Sequence, residues 1–169
     1  MSAPRSVRAQ QWIDKLSLVP HPERGFFVES HRTSARVQAS THPGERAAAT
    51  AIYFLITSDA PATSLHRLLS DEVFHLYEGG PLSVLRLFPD GRWDVARLGS
   101  NLERDERPQL VIRAGTWFGT ELDPAASHCL IGCTVAPGFE FEDFELAHED
   151  ELEAAYPEAR EHIARLRRP

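Results

Sequence analysis

The spacing of apolar positions changes once along the chain. Between residues 5 and 18 they recur at helical spacing, with Val7, Trp12, Ile13 and Leu16 on one side, and this predicts a short amphipathic helix. Two prolines in VPHPER (19–24) end it, because proline cannot continue a helix. After that the runs are short and rich in aromatic and branched residues: GFFVESHR (25–32), AAATAIYFLIT (47–57), TSLHRLL (63–69), EVFHLYEG (72–79), PLSVLRLF (81–88), RWDVARLG (92–99), QLVIRA (109–114), TWFGTEL (116–122) and HCLIGCTVAP (128–137). Gly, Pro, Asp and Ser separate them, which is the signature of strands joined by turns. Pro89-Asp90-Gly91 is one such turn: proline presets φ and glycine takes a positive φ.

Nine strands within about 110 residues leave connections too short for crossover helices, so the expected class is antiparallel all-β, a sandwich or barrel. The polar segment 34–46 reads as a mobile loop. Residues 140–153 carry eight acids and no Lys or Arg, without calcium-loop spacing, and read as a solvated edge leading into a helix. Residues 149–167 read as helical, with Leu152, Ile163 and Leu166 facing inward and Pro157 starting a second short helix. With no repeat or linker, residues 1–169 are expected to form one domain.

Composition narrows the function. A net charge of −7 with no basic stripe argues against nucleic-acid binding. No apolar run reaches the ~20 residues of a membrane span, and no apolar leader precedes the helix, so a cytoplasmic protein is expected. Of 18 basic side chains only Lys15 is lysine, and it sits in the polar N-terminal segment, which leaves Schiff-base chemistry almost no candidate. No glycine-rich phosphate loop or nucleophile elbow is present. Cys129 and Cys133 would lie about 13 Å apart on one strand face, too far for a disulfide.

The chemistry gathers around TSLHRLLSDEVF. His66 ends one strand and Glu72 opens the next, so the two can converge across the hairpin. An imidazole and a carboxylate are half of a first-row metal site, or enough for acid–base work once burial moves their pKa values toward neutrality, or a structural pair that satisfies itself. Glu29 and His31 share a face of their strand by simple alternation. Arg86 awaits either a ligand phosphate or a nearby acid.

HRLLSDEVFHLYEGG (66–80) resembles the first cupin motif, with His66, Glu72 and Gly79 in register and Leu68 where a second metal-binding His would stand. RAGTWFG (113–119) resembles the second motif, with Arg113 in place of Pro and Phe118 in place of His. Together with PHPERGFFVESHR, ATAIYFLI and CTVAPGFEFEDFELA, these segments are similar to the fifth cupin family, a domain of unknown function with an RmlC-like jelly roll. The family has Glu-Gly-Gly where this chain has Glu23-Arg24-Gly25.

The resemblance implies a double-stranded β-helix, a cupin jelly roll with its core at about residues 25–147 and short N- and C-terminal helices. It implies a homodimer with a small-molecule pocket inside the fold. His66 and Glu72 are then the candidate catalytic pair. His75, Gln109, Trp117, Phe118 and Glu29 are candidate ligand-binding residues. Strict alternation turns His75 away from Glu72; a bulge would turn it back. Leu68 and Phe118 cannot ligate a metal, so no cofactor is expected beyond weak divalent-metal binding at His66, Glu72 and His75. RmlC-like relatives act on sugar nucleotides or sugar phosphates with a His–Asp dyad and a Tyr, a set not evident here. Two functions stand: an epimerase or isomerase of that substrate class using His66 and Glu72, or a non-catalytic metabolite-binding or structural dimer. A metal-dependent enzyme comes third.

Overall fold

The structure is a computed structural model and describes residues 4–167. In chain order its elements are α1 (Val7–Leu16), β1 (Val19–Pro20), β2 (Phe26–Arg32), β3 (Arg36–Gln38), β4 (Glu45–Ala47), β5 (Thr50–Thr57) and β6 (His66–Leu68). There follow β7 (Asp71–Gly79), β8 (Leu82–Leu87), β9 (Trp93–Leu98), β10 (Gln109–Ile112), β11 (Trp117–Leu122), β12 (His128–Ala136) and β13 (Phe144–Leu146). Two helices close the chain, α2 (Glu149–Ala155) and α3 (Arg160–Arg165), joined by a short turn that opens at Pro157. All nine predicted strands form. Segment 34–46, expected to be a mobile loop, instead contains the β3–β4 hairpin.

The strands build a six-stranded sheet, β1-β2-β5-β12-β7-β10, and a five-stranded sheet, β13-β6-β11-β8-β9. Every ladder is antiparallel. Among the described residues no ladder joins the two sheets, so the jelly roll is an open two-sheet sandwich and the expected barrel does not close. Alternation decides what fills it. Phe54, Ile56, Phe74, Ile112, Ile131 and Cys133 point inward from the larger sheet and meet Leu82, Val84, Phe118 and Leu122 from the smaller.

Both outer faces carry helices. On the larger sheet, α1 lays Ala9, Trp12, Ile13 and Leu16 over Leu55 and Leu130; Val7, expected on that side, is exposed instead. Glu78 at the end of β7 ties this helix down, accepting hydrogen bonds from Arg8 and from Trp12 Nε1 at 2.9 Å. Those donors hold its carboxyl at a pKa of about 2. On the smaller sheet, Leu152, Ile163 and Leu166 of the C-terminal helices pack over Leu65, Leu85 and Leu87. No helix of the described residues is long and apolar enough to cross a membrane.

Gly79 and Gly132 separate backbone strain from crowding. Gly79 has φ +80°, and a Cβ there would run into the His128 carbonyl oxygen. The three atoms nearest to a Cβ at Gly132 all belong to the ring end of the Tyr77 side chain, which is 55% exposed and can swing away. Gly79→Ala should therefore cost about 3 kcal/mol or more, and Gly132→Ala about 1 kcal/mol, by urea unfolding. Equal costs would contradict this account of the motif glycine.

Candidate functional site

The apolar packing does not fill the whole space between the sheets. At one end it leaves a cavity of about 100 Å³ lined by His66, Leu68, Glu72, Phe74, Phe118 and Cys133, and by His21, Glu23 and Glu29 from the β1–β2 side. Two geometric devices aim these side chains. β6 brings His66 opposite Phe118 of β11, so both face inward from the smaller sheet. β7 sends Glu72 and Phe74 inward from the larger one.

His66 is almost fully buried, and its two ring nitrogens have different partners. Nδ1 lies 2.9 Å from the Ser64 carbonyl oxygen. A carbonyl can only accept, so Nδ1 carries a hydrogen. Nε2 lies 2.8 Å from Glu23 Oε2, an ion-pair distance. Oε2 has no other donor. Burial pulls the imidazole pKa down, but the Glu23 and Glu72 carboxylates and the Ser64 carbonyl outweigh it and leave the value raised. The acids around the ring thus favour its charged form.

Glu23 comes from a turn with two consecutive left-handed residues, Arg24 at φ 77° and Gly25 at φ 80°. A Cβ at Gly25 would press on the Phe54 ring and the Leu55 carbonyl. The Ser64 amide donates to the Glu23 carbonyl at 2.9 Å, locking the turn to the strand that carries His66. Arg24 takes a left-handed conformation although it is not glycine. It accepts the unfavourable φ while its guanidinium reaches the Leu166 carbonyl at 3.0 Å, which ties the turn to the end of α3. His21 accepts a hydrogen bond from the Glu23 amide on Nδ1, and burial lowers its pKa.

Glu72 is buried on the other wall. Burial pushes its carboxyl up to about 7; His66 pulls it down, Glu23 pushes it up, and a hydrogen bond involving the Cys133 thiol lowers it. Burial also raises the Cys133 thiol well above its usual range, so the thiol is the donor to Glu72. The cavity thus holds one acid that changes charge near neutrality beside an imidazole whose charged form is favoured.

The remaining sequence candidates divide. Phe118 lines the cavity, its ring 4.1 Å from that of His66. Glu29 lines its mouth and binds Arg32. Glu29 and His31 do not share a face: β2 bulges between them, so Glu29 pairs with inward Ile52 and His31 with outward Ala51. His75 remains on the outer face, because the bulge in β7 falls after it, beyond Leu76. There it contacts Thr134 Oγ1 at 3.2 Å and accepts from Gln109 Nε2 at 3.1 Å, so Gln109 is outside the cavity too. Trp117 points to the helix-covered face, under the Arg67 guanidinium. Arg86 is held by Asp94, and His128 by Glu78.

Sequence reasoning assigned no role to His21, Glu23, Phe139, Phe141 or Phe144, all of which line the cavity. The available signals were the Glu23-Arg24-Gly25 departure from the family pattern and the spaced phenylalanines of GFEFEDF.

The cavity does not offer a metal donor set. Leu68 and Phe118, which line it beside His66 and Glu72, carry no donor atom, and among the described residues no group of three or more His, Cys, Asp or Glu is arranged to take an ion.

Two facing antiparallel sheets with an inward-facing His and Glu define a double-stranded β-helix of the cupin class. A solved Klebsiella pneumoniae protein described as having a double-stranded β-helix domain shares this fold at a TM-score of 0.51 and 12% identity, covering 86% of this chain and 99% of that one; the likeness concerns fold alone. More specifically, residues 10–147 match the family described as Cupin superfamily (DUF985), and the chain belongs to it. It is similar to a hypothetical protein from Leishmania major, at 35% identity and a TM-score of 0.84 over 93% of this chain and 97% of that one. It is also 30% identical over 156 residues to the uncharacterized Saccharomyces cerevisiae protein YML079W, covering 85% of this chain and 77% of that protein.

The buried charges make stability depend on pH. In the unfolded chain Glu72 loses its proton near 4.5, whereas in the folded protein it keeps it to about 7. Its cost is therefore absent below pH 4.5, grows up to pH 7 and is constant above. His66, with its raised value, acts in the same direction: its contribution is complete below the unfolded imidazole value and is lost as pH rises through the folded one. Glu72→Gln should stabilise the protein by on the order of 2–3 kcal/mol at pH 8 and by little at pH 4.5, measured by urea unfolding at the two pH values. A gain independent of pH would contradict it.

Proposed function

We propose that this protein binds a small organic molecule in the cavity between its sheets and moves a proton on it, in an epimerase- or isomerase-type reaction. The supporting observation is Glu72, a carboxyl near pKa 7 that lines the cavity. Such a group can give or take a proton at physiological pH. His66 then has a different role from the one expected of it. Both its nitrogens are occupied, by Ser64 and Glu23, so its role is to support Glu72: the charged form of the ring, favoured by the acids around it, stabilises the Glu72 carboxylate. Leu68, Phe74 and Phe118 keep water away and strengthen that interaction.

A sugar phosphate or nucleotide sugar fits this reading less well than a ligand without phosphate. Arg32 is the cation at the mouth, and Glu29, Glu140 and the Phe139 carbonyl already occupy it. Cupin metal chemistry is not part of the proposal, since the donor set does not fit it.

A thermal-shift screen of nucleotides, sugar phosphates, hydroxy acids and small amines, followed by exchange of the bound compound in D₂O, tests this. Wild type should incorporate deuterium, and Glu72→Gln should bind but exchange at least about 100-fold more slowly. His66→Asn, whose amide can still donate to Ser64, should fold with reduced stability and also lose exchange. Binding without exchange in wild type would favour a purely binding cupin; no cavity-dependent binding at all would sink the proposal.

The second part of the proposal is a homodimer formed through the outer face of the larger sheet. Tyr77 and Val111 are exposed there, beyond the area that α1 covers, and β10 leaves an open edge. Light scattering at micromolar concentration should return twice the 19.0 kDa chain mass. The single-chain mass would count against it.

A further inference from the structure

Three phenylalanines meet edge to face at the mouth of the cavity. Phe139, Phe141 and Phe144 have ring centroids 5.1, 6.2 and 6.4 Å apart and interplanar angles of 79°, 70° and 76°. Three mutually near-perpendicular rings form a corner, open on the cavity side that all three line. His21 stacks toward Phe141 at 6.4 Å and meets Phe144 edge-on at 6.1 Å, which continues the aromatic wall inward to Glu23. Phe141 is 57% exposed, a large apolar surface left at the opening.

The corner is braced without a ligand. The Phe139 amide donates to Thr50 Oγ1 at 2.9 Å, and its carbonyl accepts from Arg32. Asp143, just beyond Phe141, is buried and takes both arms of the Arg46 guanidinium at 2.7 and 2.9 Å. A site held in this way loses little conformational freedom on binding.

Charge selects the occupant. Arg32 shares its guanidinium between Glu29 and Glu140, which leaves one negative charge in excess at the mouth. Further in, His66 and Glu23 cancel, and Glu72 adds negative charge whenever it is ionised. Negative carboxylates beside the faces of aromatic rings attract a desolvated cation and repel phosphate.

We infer that this cavity takes a small organic cation, an alkylammonium group of about choline's size, seated in the corner of Phe139, Phe141 and Phe144 with the Glu29 and Glu23 carboxylates on the same cavity wall. The inference rests on the reading above that the cavity binds a small molecule, and it names the class of that molecule.

Calorimetry with choline and tetramethylammonium tests it against 3,3-dimethylbutan-1-ol, a neutral molecule of choline's shape, and against inorganic phosphate. The cations should bind at least about tenfold more tightly than the neutral isostere, and phosphate should not bind. Phe141→Leu keeps apolar bulk at an exposed position and should fold normally, yet weaken choline about fivefold or more. Glu29→Gln should weaken choline and leave the neutral isostere unchanged. Equal affinity for choline and its isostere, or choline binding unaffected by Phe141→Leu, overturns the cation assignment. If another compound of the thermal-shift panel binds in the cavity and the cations do not, the cation assignment alone fails. If nothing binds in the cavity, both readings fail.

Discussion

The pairing of His66 with Glu23 across 2.8 Å is the constraint around which the rest of this interior is arranged. Two charges placed between apolar sheets are tolerated only with an opposite partner and further polar contacts. Ser64 supplies one such contact to the imidazole. The backbone turn at Arg24 and Gly25 supplies the carboxylate, at the cost of two left-handed residues in succession. Removing one partner would strand the other, so the β1–β2 turn, the start of β6 and the end of α3 are energetically linked through Glu23 and Arg24.

The same linkage accounts for a cupin cavity in which Leu68 and Phe118 offer no donor atom. An ion would otherwise balance the charge of inward-facing acids. Here the His66 ring, whose charged form is favoured, does part of that work for Glu23 and Glu72, and protonation does the rest for Glu72 near neutral pH. Phe118, with its ring 4.1 Å from His66, fills the space with apolar bulk.

The mouth of the cavity is built by a different part of the chain. Arg46, expected in a polar loop, is buried against Asp143 from the acidic segment, and His42 is buried beside Ser70, 2.9 Å from its hydroxyl. The β3–β4 hairpin therefore holds the three phenylalanines from behind. An acidic run that reads as a solvated edge has one of its carboxylates, Asp143, acting as the anchor of an aromatic wall.

The alternation of apolar and polar positions, together with its turn residues, was enough to determine nine strands, the two terminal helical regions and the inward direction of Glu72 with Phe74, because period two depends only on local backbone geometry. The cupin motifs likewise made the family legible from His66, Glu72 and Gly79. Whatever depends on a bulge or on a partner distant in sequence was decided only by the tertiary structure. The bulge in β2 separates Glu29 from His31, and the one in β7 comes too late to turn His75 inward. Glu23 meets His66 from 43 positions away, through a turn whose left-handed arginine no local preference predicts. Side-chain alternation is written residue by residue; the closing of a charge pair depends on which distant segments the two sheets bring face to face.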